Sequence, residues 1–218
     1  MVSHLITQVI IYLDSFLGLA ALVAVTLRLR SRKVSWRWLS LLCCALVPLV
    51  PFKGLTLAEY PGSAFGPLSI TTLLLLGCGL WSQFTNRVCL RPRERQTLFI
   101  GIAISGLILY PATFGLATFD PYQLGFGSSA FILALLFVTL YSIVTKSIAT
   151  AIIIIAAAIA FDLHLLESGN LWDYLIDPFI TVYVLVVLFA LALKRIVTAT
   201  NRRPAQIQAG SGESAFPS

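Results

Sequence analysis

Polar residues break this chain only at wide intervals. Between them lie seven almost wholly apolar stretches, at about 4–27, 37–52, 68–85, 97–114, 128–145, 148–166 and 177–195. A helix needs about 20 mainly apolar residues to cross the hydrocarbon core of a bilayer. None of the stretches sustains the in–out alternation of a barrel strand. Backbone N–H and C=O groups in lipid must be satisfied within the segment, which makes each stretch a helix. The pattern predicts an all-α, polytopic integral membrane bundle over residues 1–197, with about seven transmembrane helices. Residues 198–218 are polar and carry Gly, Ser and Pro, and read as a disordered cytoplasmic tail. The second stretch is short and ends in Pro48 and Pro51, a place to kink or stop. The fifth and sixth are separated only by Lys146 and its neighbours, which predicts a tight helical hairpin. No Lys or Arg precedes the first stretch, so it reads as a retained helix and not a cleaved signal.

The first stretch has two faces. At about 100° per residue, Ser3, His4, Thr7, Gln8, Tyr12, Asp14 and Ser15 share one half of the helix. Leu5, Ile6, Val9, Ile10, Leu13, Phe16, Leu17 and Ala20 fill the other half. The polar half is expected to face the bundle and the apolar half lipid. Asp14 stands near the middle of the run. An acid there costs roughly 2.5–3.5 kcal/mol on insertion scales and marks a functional site by default. It is either a hydrogen-bonded tie between helices or a ligand for a proton or cation.

Charge then orients the helices. Among the 15 Lys and Arg residues, all but Lys53 fall on one side of a seven-helix arrangement. They lie in "RLRSRKVSWR", in "RVCLRPRER", at Lys146, and after the last run. The positive-inside rule makes that side cytoplasmic, with the N-terminus outside and the C-terminus inside an inner (plasma) membrane. Composition agrees, at 58% hydrophobic and 11% charged, against about 45–50% and about 25% in soluble domains. The net charge of +6 requires no nucleic acid, because basic loops beside a membrane also attract anionic lipid head groups. Trp36, Trp38 and Trp81 sit beside those loops, where interfacial aromatics belong.

The acids gather on the opposite side. "FDLHLLESGNLWDYLIDP", 161–178, holds Asp162, His164, Glu167, Asp173 and Asp177. With Asp14 these make up the candidate polar site. Asp177-Pro178 reads first as an N-cap followed by Pro at the first helical position. On a continuing helix, His164 and Glu167 would share a face, as would Asp173 and Asp177. Asp, Glu and His are metal-ligand types, yet no spacing of known geometry appears, and neither a metal nor another cofactor is implied. Asn170 reads as turn chemistry and Trp172 as an interfacial anchor. Cys43, Cys44 and Cys78 lie in apolar runs and Cys89 in a basic loop, so no disulfide framework is implied.

"GNLWD", 169–173, is similar to the Gly-Asn-x-x-Asp segment of lipoprotein signal peptidases, which are intramembrane aspartyl enzymes. Tyr174 stands where those enzymes carry Arg, and their Asn-x-Ala-Asp segment is absent here. The likeness covers five residues and assigns no family. Three functions remain open on sequence. One is an accessory or assembly component that binds a membrane protein partner or lipid. The second is a small ion-coupled transporter using Asp14. The third is an outer-leaflet hydrolase or transferase using Asp162 and Asp173.

Overall fold

The computed structural model describes residues 2–31, 33–85, 87–116 and 118–211; the side chains of residues 2–4, 30 and 199–211 also lie outside the described set. The fold is all-α, with one two-residue hairpin. In chain order the helices are α1 (Val2–Thr26), α2 (Val34–Leu46), α3 (Glu59–Phe65), α4 (Ile70–Thr85), α5 (Pro92–Thr113), α6 (Ser129–Val144), α7 (Ile148–Asp162), α8 (Leu171–Leu175) and α9 (Pro178–Ser211). The hairpin pairs β1 (Pro51–Phe52) with β2 (Leu55–Thr56), and a 3-10 turn at Pro121–Gly125 precedes α6. Every apolar stretch becomes a helix. Three segments are long and apolar enough to cross a membrane: Leu5–Thr26, Pro92–Thr113 and Pro178–Thr198. The helices in the other four stretches are apolar but shorter. The helix α9 continues past Thr198 into the segment expected to be a disordered tail, and residues 212–218 of that tail lie outside the described residues.

Helix ends explain the shortening. At the close of α7 the amide of Leu165 donates to the Ala160 carbonyl and that of His164 to the Phe161 carbonyl, each at 3.0 Å. His164 has φ +50°. This is a left-handed helix stop, a conformation usually given to glycine. The sixth apolar stretch therefore ends as a helix at Asp162 and not at residue 166. The same device ends α6. There Ser147 donates to the Ser142 carbonyl at 2.7 Å and Lys146 has φ +59°. It turns the chain directly into α7, as the short spacing predicts. At the start of α4, Ser69 Oγ accepts from the Thr72 amide at 3.2 Å, the usual N-cap bond.

Two apolar cores hold the helices together. The larger one joins α5 to α9 through Ile102, Phe131, Ala157, Tyr174 and Val184. The smaller joins α1, α2 and α4 through Ala20, Ala24, Leu29, Cys44 and Leu80. Gly106 lets α5 approach α9 closely, since a Cβ there would fall 2.3 Å from Thr181 Cγ2. Small residues at such crossings are how helices associate where burial from water supplies no drive. Outside these cores the bundle is apolar too, with Leu107, Phe137, Ile152, Val186 and Phe189 all exposed.

The polar half of α1 faces the protein as expected. Gln8 donates to Glu59 at 3.4 Å, Tyr12 to the Ala45 carbonyl at 2.6 Å, and Ser15 to the Ala58 carbonyl at 3.2 Å. Leu5 and Val9 are exposed on the other face. Ala20, however, is buried, and Ile10, Phe16 and Leu17 pack against the two cores, so the apolar half of α1 is covered in part by its neighbouring helices. Ser3 and His4 carry side chains outside the described set.

The bundle has a basic end and an acidic end. At the first, Arg37 Nη1 at the start of α2 donates to the Gln83 carbonyl near the end of α4, at 3.2 Å. At the second, the start of α4 meets the start of α9 through Ser69 and Asp177.

Candidate functional site

The acidic end is built on the first turn of α4. Leu68 and Ser69 precede that turn, and their amides are free of intrahelical partners. Each is taken by a carboxylate. Leu68 N–H donates to Asp14 Oδ2 at 2.9 Å, and Ser69 N–H donates to Asp177 Oδ2 at 3.0 Å. Two acids from opposite ends of the chain thus meet on consecutive amides at a helix N-terminus, where the helix dipole favours negative charge.

Asp177 is saturated. Its Oδ2 also accepts from Ser69 Oγ at 2.8 Å and from Thr72 Oγ1. Its Oδ1 accepts from the Ile180 amide at 2.9 Å, which caps α9. One buried side chain thereby caps two helices. Asp14 differs. Its Oδ1 is buried and has no hydrogen-bond partner among the described residues. Its position also differs from the one expected. Asp14 is central along α1, but it lies level with the starts of α4 and α9, because those helices begin where α1 is half finished.

Beside Asp14 an apolar groove of about 1070 Å³ opens between α1, α4 and α9. Its lining runs from Ile11, Pro61 and Phe65 past Asp14 and Thr72 to Gln83, Cys89 and Arg95. Gly18 and Gly79 form part of its wall, and a Cβ built on either meets nothing within 4 Å. The Arg95 guanidinium lies 4.9 Å from the centre of the Phe99 ring, which packs edge-on to Tyr183. The thiols of Cys78 and Cys89 stand 2.8 Å apart on the wall.

The segment 161–178 is a second, separate structure. Its five ionisable groups divide. Asp162, His164 and Glu167 are exposed, whereas Asp173 is partly covered and Asp177 is buried. His164 and Glu167 do not share a helix face, since α7 has already ended. Its ring Nδ1 lies 2.9 Å from the Asp162 carbonyl. Asp173 and Asp177 are likewise parted, because α8 stops at Leu175 and Ile176 is extended, with φ −144° and ψ 147°. Asp173 Oδ2 accepts from Tyr122 Oη at 2.9 Å and from Ser168 Oγ. No bond or common partner joins Asp162 to Asp173 among the described residues. Nor is any group of three His, Cys, Asp or Glu side chains there placed to hold a metal ion.

Around Asp173 the segment is knotted to the 3-10 turn before α6. Asn170 is fully buried. Its Oδ1 caps α8 through the Trp172 amide at 2.9 Å, and its Nδ2 donates to the Tyr122 carbonyl at 2.9 Å. Trp172 Nε1 donates to the Pro121 carbonyl at 3.0 Å. Tyr174 Oη accepts from the Leu166 amide at 3.1 Å and donates to the Leu166 carbonyl. Gly125 is required here, since a Cβ would stand 1.7 Å from Asn170 Oδ1. Burial, together with the bond to Asp173, pushes the Tyr122 phenol up to about 12. Burial raises Tyr174 as well. The dense acid content of this segment thus resolves into an architectural plug.

Sequence reasoning passed over Ser69, Thr72, Tyr122 and Ser168, and read Asn170 as an ordinary turn residue. One signal was available. Ser69 followed three residues later by Thr72, just before an apolar run, is the pattern of a capped helix start. Nothing local announces that the same hydroxyls serve Asp177, 108 and 105 residues away.

No protein-family model, curated protein or solved structure matches this chain. The fold and site define a class on their own terms. It is an all-α chain with helices apolar enough to cross a membrane, carrying a groove with one acid, Asp14, in its wall.

Proposed function

We propose that this chain is a multi-pass inner-membrane accessory protein that takes a membrane-resident ligand into the groove between α1, α4 and α9. In this reading α1, α2, α4, α5, α6, α7 and α9 all cross, with the N-terminus outside and the C-terminus cytoplasmic. The basic end then faces the cytoplasm. Helices as short as α2, with 13 residues, span about 20 Å at 1.5 Å per residue, so the bilayer thins locally around them. Candidate ligands are lipid or the helix of a partner protein, and the basic loops add contact with anionic head groups. The groove carries the reading. It is lined by apolar side chains along most of its length and carries in its wall an acid with a buried oxygen that has no partner among the described residues. A pocket of that size and character is the default binding site of a protein.

The test is to extract the full chain with its surrounding membrane in a lipid-retaining polymer. The wild type is compared with a Gly18→Leu, Gly79→Leu double variant that fills the groove. The reading predicts a lipid or protein species retained by the wild type and lost from the variant. An identical complement in both samples would contradict it.

The unpartnered Asp14 oxygen also supports a second reading, an ion-coupled carrier in which Asp14 binds the coupling proton or cation. That reading predicts that Asp14→Asn abolishes flux in proteoliposomes while the protein stays folded. Undiminished flux in that variant would end it.

A further inference from the structure

We infer that the groove holds one acyl chain of an anionic phospholipid, with its head group on Arg95 at the basic end. This rests on the reading of the groove as a ligand site and names its occupant. Lining is the first argument. The groove follows α1 from Ile11 to Val25 and α4 with its entry from Leu68 to Gln83, about 22 Å at about 1.5 Å per residue. Most side chains along it are apolar, which suits a hydrocarbon chain.

Polarity sets the direction. The mouth at the basic end carries Arg95, with Arg87, Arg91 and Arg93 exposed in the same loop and first turn of α5. The acid in that stretch, Glu94, is turned back to accept from the Arg91 amide at 3.1 Å. Arg95 is an exposed residue whose guanidinium lies 4.9 Å from the centre of the Phe99 ring at this mouth. A guanidinium fork is suited to bidentate phosphate binding. In the other direction the lining runs past Asp14 and Thr72 to Ile11, Pro61 and Phe65 and holds no basic side chain for a phosphate. The wall between is open at Gly18 and Gly79, where a methylene chain can lie against bare backbone.

The test offers the full chain, in detergent, phosphatidylglycerol and phosphatidylcholine of equal chain length and reads retained lipid by native mass spectrometry. One phosphatidylglycerol per chain is expected. The preference over phosphatidylcholine should fall about fivefold in Arg95→Gln, the effect of one basic residue at a lipid surface. Gly79→Leu should retain neither lipid, and Gly18→Leu should repeat that result from the opposite wall. Equal retention of the two lipids by the wild type would overturn the inference, as would full phosphatidylglycerol retention by both glycine variants. A photoreactive side chain at Gly18 in intact cells separates this from the broader reading. A lipid adduct supports both. An adduct to a second protein keeps the groove as a binding site and overturns the lipid assignment. No adduct at all ends both.

Discussion

Asp177 joins two helices through one carboxylate, and this makes it the residue on which the acidic end depends. Replacing it with Ala strands the Ser69 and Ile180 amides and two hydroxyls in a buried site. Lost caps and unsatisfied donors together predict a cost of about 3 kcal/mol. Denaturation of the Asp177→Ala protein in detergent checks this, with Asp177→Asn expected near half the loss because one acceptor survives. His164 makes the opposite case. It occupies a left-handed position at φ +50°, which costs a non-glycine residue roughly 1 kcal/mol or more. His164→Gly is predicted to stabilise the protein by about 0.5 kcal/mol, after allowing for the freer unfolded chain. A destabilised variant would show that the ring's stacking on Phe161 outweighs the strain.

Tyr122 gives the acidic end a pH limit at the same scale. Its phenol is raised from 10.0 to about 12, first by burial and then by the bond it donates to Asp173. A raised folded value means that this stabilisation is complete below about pH 10. It is lost as pH climbs through about 12, when the tyrosinate can no longer donate to Asp173. Tyrosinate absorbance, read as wild type minus Tyr122→Phe, should show one late-titrating phenol. In Asp173→Asn that phenol should titrate earlier. An unchanged titration there would remove Asp173 from the account.

Among the elements, the α5–α9 crossing is the tightest point. Gly106→Ala places a methyl 2.3 Å from Thr181 Cγ2, and forcing the helices apart predicts a loss of about 1–3 kcal/mol. Thr181→Ser removes that Cγ2 and should recover part of the loss; a purely additive double variant would deny the contact. The helices themselves were legible, because a long apolar run in a chain with few charges has one stable form in lipid. Their ends were less so. The run to residue 166 hides the stop at His164, since a left-handed cap on a histidine leaves no glycine to read. The site was legible only in part. Asp14 and Asp177 stood out by their types and positions, but their meeting at Leu68 and Ser69 depends on folding. Hydrogen-bond partners 54 and 108 residues apart are set by packing and not by local pattern.

For the whole molecule, the division of charge and the groove support one picture. Arginines crowd one end of the helices, while at the other Asp14 and Asp177 meet on the Leu68 and Ser69 amides and Asp173 is held apart from them by Tyr122 and Ser168. Residues 161–178 pack at the acidic end, and the groove runs between α1, α4 and α9 to Arg95. In the proposed reading the positive-inside rule places the arginine end in the cytoplasm and the acidic end outside. Single-cysteine labelling tests it most directly. In a variant with Cys43, Cys44, Cys78 and Cys89 replaced by Ser or Ala, Glu167→Cys and Arg93→Cys are treated in intact cells with a membrane-impermeant maleimide. The account predicts that the cysteine at 167 reacts from outside and that the cysteine at 93 reacts only after the membrane is opened. Reaction of both from the same side would contradict it.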